Sequence, residues 1–146
     1  MRISIIAVGK VKQAGLRGEI DDYLKRIRRY SRCDEIEVKE GSDEEVAARF
    51  RKAIGERARR VALEVDGVTW SSERLARFLA QCEKDSIGTL AFLIGGAYGL
   101  PKRISDEADL KLSLSPMTLP HRLARLVLAE QIYRGYTILR NEPYSH

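Results

Sequence analysis

Hydrophobic residues fall into two kinds of segment that alternate along this chain. Five short runs are rich in aliphatic and β-branched residues, a composition typical of buried strands. They occupy residues 3–8, 36–38, 61–65, 90–94 and 110–114. Between them, apolar residues recur with the spacing of one helix face, so the pattern predicts strands and helices in turn.

Helix-start signals support the predicted helices. Ser42 and Glu45 have the spacing of a capping box, and Ser71–Ser72 precedes the third apolar stripe. A short helix is expected from Pro101, and the last helix is expected over residues 120–139. The apolar stripes of the first three helices are Leu16, Ile20, Tyr23, Leu24, Ile27 and Tyr30; Val46, Phe50 and Ile54; and Leu75, Phe78, Leu79 and Cys82.

Alternating strands and helices with connections of this length predict an α/β fold, in which helices cover both faces of a mostly parallel sheet. No repeat, linker or low-complexity tract interrupts the 146 residues, so we expect a single domain over residues 1–146. Ligands of such folds bind beyond the carboxyl ends of the strands. Three predicted strand ends have unusual sequences, LEVDG (63–67), IGGAYGL (94–100) and LSLSPMTLP (112–120), and we expect them to share one site.

Composition argues against several classes of protein. Apolar residues make up 44% of the chain, as in globular proteins. No run approaches the roughly 20 apolar residues of a membrane span, and the first residues predict a buried strand rather than a signal peptide. Cys33 and Cys82 form no C-x-x-C motif, and His121 and His146 are the two histidines. We therefore expect a cytoplasmic protein with reduced cysteines, no metal site and no membrane association.

The net charge of +5 is unevenly distributed. Residues 10–32 carry eight basic and three acidic side chains, residues 33–48 carry one and seven, and residues 49–60 carry six and one. Basic segments of this size suit a polyanionic partner such as RNA or DNA. Solvated helix faces explain the same pattern equally well, so charge alone leaves both interpretations open.

Three glycines follow the fourth predicted strand. Gly95, Gly96 and Gly99 allow unusual backbone conformations and close approach of a ligand. Their G-G-x-x-G spacing differs from the G-x-G-x-x-G of dinucleotide-binding folds, which also belongs after the first strand of a βαβ unit. No phosphate-binding G-x-x-x-x-G-K-[ST] motif is present. The glycine loop is therefore either part of a ligand site or a simple chain reversal.

The LSLSPMTLP loop is uncharged in a chain of which 32% is charged. Such a loop suits a flat, mostly apolar group such as an adenine, with Leu114, Met117 and Leu119 as walls and backbone groups contacting the ring edge. Pro116 and Pro120 restrict the loop and lower the entropic cost of ordering it around a ligand. The alternative is an ordinary strand end that turns into a helix, with Pro120 as the first helical residue.

The last predicted helix, PHRLARLVLAEQIYRGYTIL, is apolar over more of its circumference than packing on one sheet face requires. The extra apolar surface predicts a subunit interface. Glu130 lies within this apolar stretch, and an unpaired buried carboxylate is costly. We therefore expect Glu130 to pair with Arg125 or Arg134.

Three segments, FLIGGAYGL, LSLSPMTLPHRLARLVLAEQIYR and NEPYSH, closely resemble the ribosomal RNA large-subunit methyltransferase H family. This family belongs to the SPOUT, or α/β-knotted, class of S-adenosylmethionine-dependent methyltransferases, and the resemblance covers the whole chain. It implies a parallel sheet flanked by helices, with a trefoil knot at the C-terminal end, in a cytoplasmic homodimer. It also implies methyl transfer to N3 of a pseudouridine in large-subunit (23S) rRNA of the assembled ribosome, with the small subunit present.

The same resemblance assigns site residues. The implied S-adenosylmethionine contacts are Leu63, Gly95, Leu114, Ser115, Pro116, Met117, Thr118 and Leu119. Candidates for aligning the substrate or removing its proton are His121, Arg125, Arg134, Tyr144 and His146, while Glu130 and Tyr133 match positions in the dimer cleft. The tail departs from the family pattern, because Ser145 occupies the usual histidine position and His146 follows it.

Two other functions fit parts of the sequence. A non-catalytic RNA-binding or ribosome-binding protein on the same fold would keep the basic segments, but it has no need of an uncharged, proline-braced loop at residues 112–120. A nicotinamide-dependent oxidoreductase is disfavoured by the spacing and position of the glycines.

Overall fold

The computed structural model describes residues 1–144 and shows a five-stranded sheet between two layers of helices. The strand order is β2-β1-β4-β3-β5 and every pair of neighbours is parallel, so the predicted α/β class is confirmed. The strands are β1 (Arg2–Val8), β2 (Arg32–Val38), β3 (Ala58–Thr69), β4 (Thr89–Ile94) and β5 (Leu110–Ser113). The helices are α1 (Ala14–Ile27), α2 (Asp43–Ile54), α3 (Ser72–Lys84), α4 (Lys102–Asp106) and α5 (His121–Leu139).

Both faces of the sheet are covered because successive side chains of a strand point to opposite sides. On β1, Ile3 and Ile5 belong to the larger core, whereas Ile6 and Val8 belong to the smaller one. The larger core also takes the apolar faces of α1, α3 and α5, and the smaller core takes those of α2 and α4. This double burial explains why β1 and β4 are almost uninterrupted apolar runs.

Local signals set the helix ends. The Ser42 hydroxyl accepts from the Glu45 N–H at 3.2 Å, and the Glu45 carboxylate accepts from the Ser42 N–H at 3.0 Å, which confirms the capping box. Ser71 caps α3 through one hydrogen bond, in which its hydroxyl accepts from the Arg74 N–H at 3.1 Å. Pro120 is not the first helical residue as expected, because its ψ of 140° is extended and α5 begins at His121.

The structure extends two strands beyond their predicted ends. Strand β2 begins at Arg32 because its charged residues still pair with β1 at the edge of the sheet. Strand β3 continues to Thr69 after a shift in register between Leu63 and Val68, both of which pair with Leu112. Gly67 lies within this irregularity in close contact with β5, since a β-carbon there would lie 2.6 Å from the Lys111 carbonyl oxygen.

Strands β4, β3 and β5 are neighbours, so the loops that follow their carboxyl ends meet at one edge of the sheet. IGGAYGL and LSLSPMTLP lie at this edge as expected, whereas LEVDG is not a strand end, because β3 continues past it to Thr69 after the register shift. None of the helices in residues 1–144 has the length and apolar character needed to cross a membrane. The trefoil knot implied by the family resemblance stays a prediction.

Candidate functional site

A cavity of about 470 Å³ opens at the carboxyl edge of the sheet. Its walls come from the middle of β3 (residues 63–65), the glycine loop after β4, the loop after β5 and the first turn of α5. A volume of this size suits a cofactor or a drug-sized ligand. The lining residues are Leu63, Glu64, Val65, Ile94, Gly95, Gly96, Ala97, Gly99, Leu100, Leu114, Ser115, Met117, Thr118, Leu119, Pro120, His121 and Ala124.

The glycine loop turns back tightly on itself. The Gly99 N–H donates to the Gly96 carbonyl at 3.0 Å, and Gly99 has a φ of +81°, which is unfavourable for other residues. A β-carbon at Gly95 would lie 2.3 Å from the Gly99 carbonyl carbon and 2.4 Å from the Leu100 nitrogen. Glycine at position 95 is therefore required by the loop's own backbone, which forms one wall of the cavity.

Serine hydroxyls fix the loop that follows β5. The Ser113 hydroxyl donates to the Ser115 carbonyl at 2.9 Å, and the Ser115 hydroxyl accepts from the Met117 N–H at 3.0 Å. These bonds hold the loop open, leaving the Met117 side chain 77% exposed. Apolar side chains and backbone groups thus face the cavity without needing a ligand to shape it.

The cavity has little charge. Among its lining residues, the ionisable side chains are Glu64 and His121. The Glu64 carboxylate accepts from the Ser105 hydroxyl at 2.9 Å, which fixes it beside α4. A cavity with leucine walls and few charges can hold a flat apolar group, and it lacks the cationic cluster that a phosphate-binding site uses.

The structure brings most predicted cofactor contacts together. Seven of the eight line the cavity, and Pro116 is the exception. Their role in binding stays a prediction. The lining residues that the sequence argument did not single out include Val65, Ala97 and Leu100. Ala97 and Leu100 lay within the IGGAYGL segment and Val65 within LEVDG, so the segments carried a signal that individual positions did not.

His121 is the one catalytic candidate in the described chain that lines this cavity. Arg125, one turn further along α5, is 1% exposed and points away into an ion-pair network. Its guanidinium lies 3.0 Å from the Glu35 carboxylate and 2.5 Å from that of Glu37, and it donates to the Gly9 carbonyl at 3.1 Å. Arg125 therefore anchors α5 to the carboxyl ends of β1 and β2.

Arg134 and Tyr144 form a second cluster around Glu130. Arg134 pairs with Glu130 at 2.8 Å, which decides between the two partners expected for this carboxylate. The Tyr144 hydroxyl donates to Glu130 at 2.9 Å, and the Arg134 guanidinium lies 4.5 Å from the Tyr144 ring centroid. Burial raises the pKa of the Tyr144 phenol above its ordinary value, and hydrogen bonds to Tyr23 and Glu130 raise it further. A tyrosine phenol is already protonated near neutral pH, and the raised pKa of Tyr144 keeps it so at more alkaline pH.

The two groups of candidates are far apart within one chain. His121 and Arg134 stand 13 positions apart on α5, which corresponds to about 20 Å along the helix. A single cavity of one chain cannot contain both. The last candidate, His146, lies outside the described residues. Among residues 1–144, no group of three or more His, Cys, Asp or Glu side chains is placed to hold a metal ion.

Known proteins resemble this chain over its full length. The family model described as predicted SPOUT methyltransferase matches residues 1–146. The protein named ribosomal RNA large subunit methyltransferase H of Sorangium cellulosum is 49% identical over 146 residues, and the match covers 100% of both chains. A protein of the same name from Bifidobacterium animalis subsp. lactis is 41% identical, with 99% of each chain covered.

Solved structures share the fold at low sequence identity. A putative methylase family protein from Neisseria gonorrhoeae superposes with a TM-score of 0.59 at 11% identity, covering 99% of this chain and 85% of that one. TrmJ from Z. mobilis gives a TM-score of 0.53 at 15% identity, covering 99% of this chain and 72% of that one. At such identities these likenesses establish the fold alone.

Proposed function

The chain belongs to the SPOUT methyltransferase family, and from that premise we propose that it transfers a methyl group from S-adenosylmethionine to ribosomal RNA of the large subunit. The observation that carries this proposal is the cavity of low charge that residues 63–65 of β3 form together with the loops after β4 and β5. The names of full-length relatives at 49% and 41% identity support the same reaction and substrate class. Catalysis is favoured over RNA binding alone, because RNA binding has no use for such a cavity.

The residues of the cavity fit S-adenosylmethionine. Leu63, Leu114 and Leu119 offer apolar surface for the adenine ring, and the backbone of the serine-braced loop offers donors and acceptors for its edge. The Glu64 carboxylate is a suitable neighbour for a positively charged ligand. When bound, S-adenosylmethionine supplies a methyl group already activated by its sulfonium. The protein then has to align the acceptor and help it lose a proton.

Among the candidate residues, His121 is best placed to accept a proton from the substrate base. In our proposal the acceptor is N3 of a pseudouridine, whose N3–H resembles a phenol in acidity, with a pKa of about 10. A group that accepts this proton or stabilises the developing anion lowers the barrier. His121 lines the cavity at the first residue of α5, where it can reach a base at the mouth. Tyr144 acts as a hydrogen-bond donor instead, because its phenol is protonated near neutral pH and already donates to Glu130.

The proposed assembly is a homodimer formed along α5. Leu123 and Ile138 are 40% and 39% exposed, and they share one side of the helix with half-buried Val127. Two copies of α5 running antiparallel about a two-fold axis would cover this stripe. The same arrangement would bring Arg134 and Tyr144 of one copy towards His121 of the other. The separation of these candidates within one chain supports such a composite site.

Dimer formation and a composite site can be tested together. Sedimentation equilibrium is expected to give twice the chain mass. Variants His121→Ala and Tyr144→Ala are each expected to methylate poorly, whereas an equimolar mixture that exchanges subunits should regain about a quarter of the wild-type rate, since half of its dimers hold one intact site. Recovery no greater than the sum of the separate variants would contradict the composite site.

Basic side chains near the cavity suit an RNA substrate. Lys10 and Lys12 follow β1, Arg122 follows His121, and all three are exposed. Their charge would attract rRNA phosphates. In this proposal the substrate is the assembled ribosome in the cytoplasm, with the small subunit present.

The function is tested by incubating the protein with tritium-labelled S-adenosylmethionine and ribosomes from cells that lack this methylation. We expect label in large-subunit rRNA, with whole ribosomes a better substrate than isolated large subunits. Mass spectrometry of the digested rRNA should place the methyl group on a pseudouridine. Saturable binding of the RNA without any methyl transfer would instead favour the non-catalytic RNA-binding alternative.

A further inference from the structure

Tyr98 lies at the tip of the glycine loop, and it is fully exposed to solvent. The loop beneath it is stiff, because Gly96 and Gly99 form an antiparallel bridge and Gly95 is in backbone contact with Gly99. Among residues 1–144, no aromatic ring or guanidinium stacks on Tyr98. The fold therefore presents a bare aromatic ring on a rigid support.

This ring stands at the mouth of the cavity. Its chain neighbours Ala97 and Gly99 line the cavity, although Tyr98 itself does not. The loop lies beside the end of β1, since Ala7 pairs with Ile94 and a β-carbon at Gly96 would be 3.1 Å from the Val8 side chain. Tyr98 is thus placed to contact a substrate that enters the cavity and has no part in forming the cavity wall.

Cationic side chains lie on the segments next to the glycine loop and the cavity. The segment that continues from β1 carries Lys10 and Lys12, which are exposed and take part in none of the ion pairs among residues 1–144. Arg122, next to cavity-lining His121, is likewise exposed and outside these pairs. Single-stranded nucleic acids are bound by this combination of positive charge for the phosphates and aromatic rings for the bases.

We propose that Tyr98 stacks on an unpaired base of the RNA substrate, adjacent to the nucleotide that enters the cavity. This inference rests on the proposed function and adds a positioning residue to it. An RNA base is favoured over a protein partner because the neighbouring segments carry the exposed cations Lys10, Lys12 and Arg122, which match phosphates. By holding the neighbouring base, Tyr98 would fix the depth and orientation at which the target nucleotide meets the cavity.

The test compares wild type, Tyr98→Ala and Tyr98→Phe in three measurements. Fluorescence anisotropy gives the affinity for a large-subunit rRNA hairpin, methyl-transfer kinetics on ribosomes give KM and kcat, and calorimetry gives the affinity for S-adenosylmethionine. We expect Tyr98→Ala to weaken RNA binding and to raise KM by about 5- to 160-fold, the range that corresponds to the loss of one stacked base. Tyr98→Phe retains the ring and should stay within about twofold of wild type. Affinity for S-adenosylmethionine should not change.

Other outcomes distinguish base stacking by Tyr98 from a contact in the dimer and from failure of the proposed function. Equal RNA affinity and KM for wild type and Tyr98→Ala would overturn the stacking role while leaving the proposed function intact. Loss of the dimer by Tyr98→Ala in sedimentation would also overturn it, since Tyr98 would then contact a second copy. If wild type transfers no methyl group, the proposed function fails, and the RNA affinities of the two variants still decide the role of Tyr98.

Discussion

The guanidinium of Arg125 lies 3.0 Å from the carboxylate of Glu35, a residue 90 positions earlier in the chain. Arg125 is 1% exposed, and Glu37 and the Gly9 carbonyl also accept its hydrogen bonds. Arg17 reaches the same two carboxylates from α1. The network ties the start of α5 to the ends of β1 and β2, and α5 begins directly after the loop that lines the cavity. An intact ion-pair network should therefore matter for both the stability of the fold and ligand binding in the cavity.

Replacing Arg125 with methionine should destabilise the protein by about 3 kcal/mol, because breaking a buried ion pair leaves carboxylates without a full partner. The matched control is Arg2→Met, which removes an exposed ion pair with Asp34 and should cost well under about 1 kcal/mol. Urea unfolding at one fixed protein concentration measures both. If the two variants lose equal stability, the Arg125 network is not the anchor described here.

Gly95→Ala should abolish measurable binding of S-adenosylmethionine. The added β-carbon would lie 2.3 Å from backbone of Gly99, so the loop must move and the cavity wall with it. Gly88→Ala is the control, since nothing lies within 4 Å of its β-carbon position. Equilibrium dialysis with labelled cofactor gives both affinities. Wild-type affinity in Gly95→Ala would show that the glycine loop is not part of the cofactor site.

Lys12→Ala should weaken ribosome binding and reduce its dependence on salt. A lysine that contacts a phosphate contributes about 0.7 to 0.9 to the slope of log affinity against log salt concentration. Lys84→Ala is the charge-matched control, because Lys84 is also exposed but ends α3 at the opposite edge of the sheet. Binding measured across a salt series distinguishes them. Identical slopes for the two variants would place the RNA on another surface.

His146→Ala should lower turnover on ribosomes without changing the affinity for S-adenosylmethionine. The prediction comes from the tail sequence. Ser145 occupies the position at which the family resemblance implies a histidine, and His146 comes one residue later. Ser145→Ala serves as the neighbouring control and should retain activity. Single-turnover methyl transfer reports the chemical step directly. Unchanged turnover in His146→Ala would remove this residue from the mechanism.

Local sequence signals predicted local structure well. The Ser42–Glu45 capping box and the Ser71 cap both depend on residues three apart, and both were confirmed. The parallel sheet followed from strands that alternate with helices, and the family resemblance was confirmed by full-length relatives. The expected position of Pro120 was wrong by one residue, since a proline can cap a helix as well as begin it.

Long-range relationships had no comparable signal. Glu130 was expected to pair with Arg125 or Arg134, and Arg134, four positions away, is the one with the spacing of a helical neighbour. That Arg125 instead binds Glu35, on a strand 90 positions earlier, had no signal in the sequence. The extension of β3 to Thr69 likewise depended on contact between Gly67 and β5. The segments of the site were therefore predictable, whereas the orientation of individual side chains required the folded chain.

The most direct test of the central claim is a calorimetric titration of S-adenosylmethionine into the purified protein, with NAD as the control ligand and at concentrations that keep any dimer assembled. We predict saturable binding of S-adenosylmethionine and no heat of binding from NAD. Saturable binding of NAD alone, or of neither ligand with or without ribosomes, would contradict the assignment of the cavity to a methyl donor.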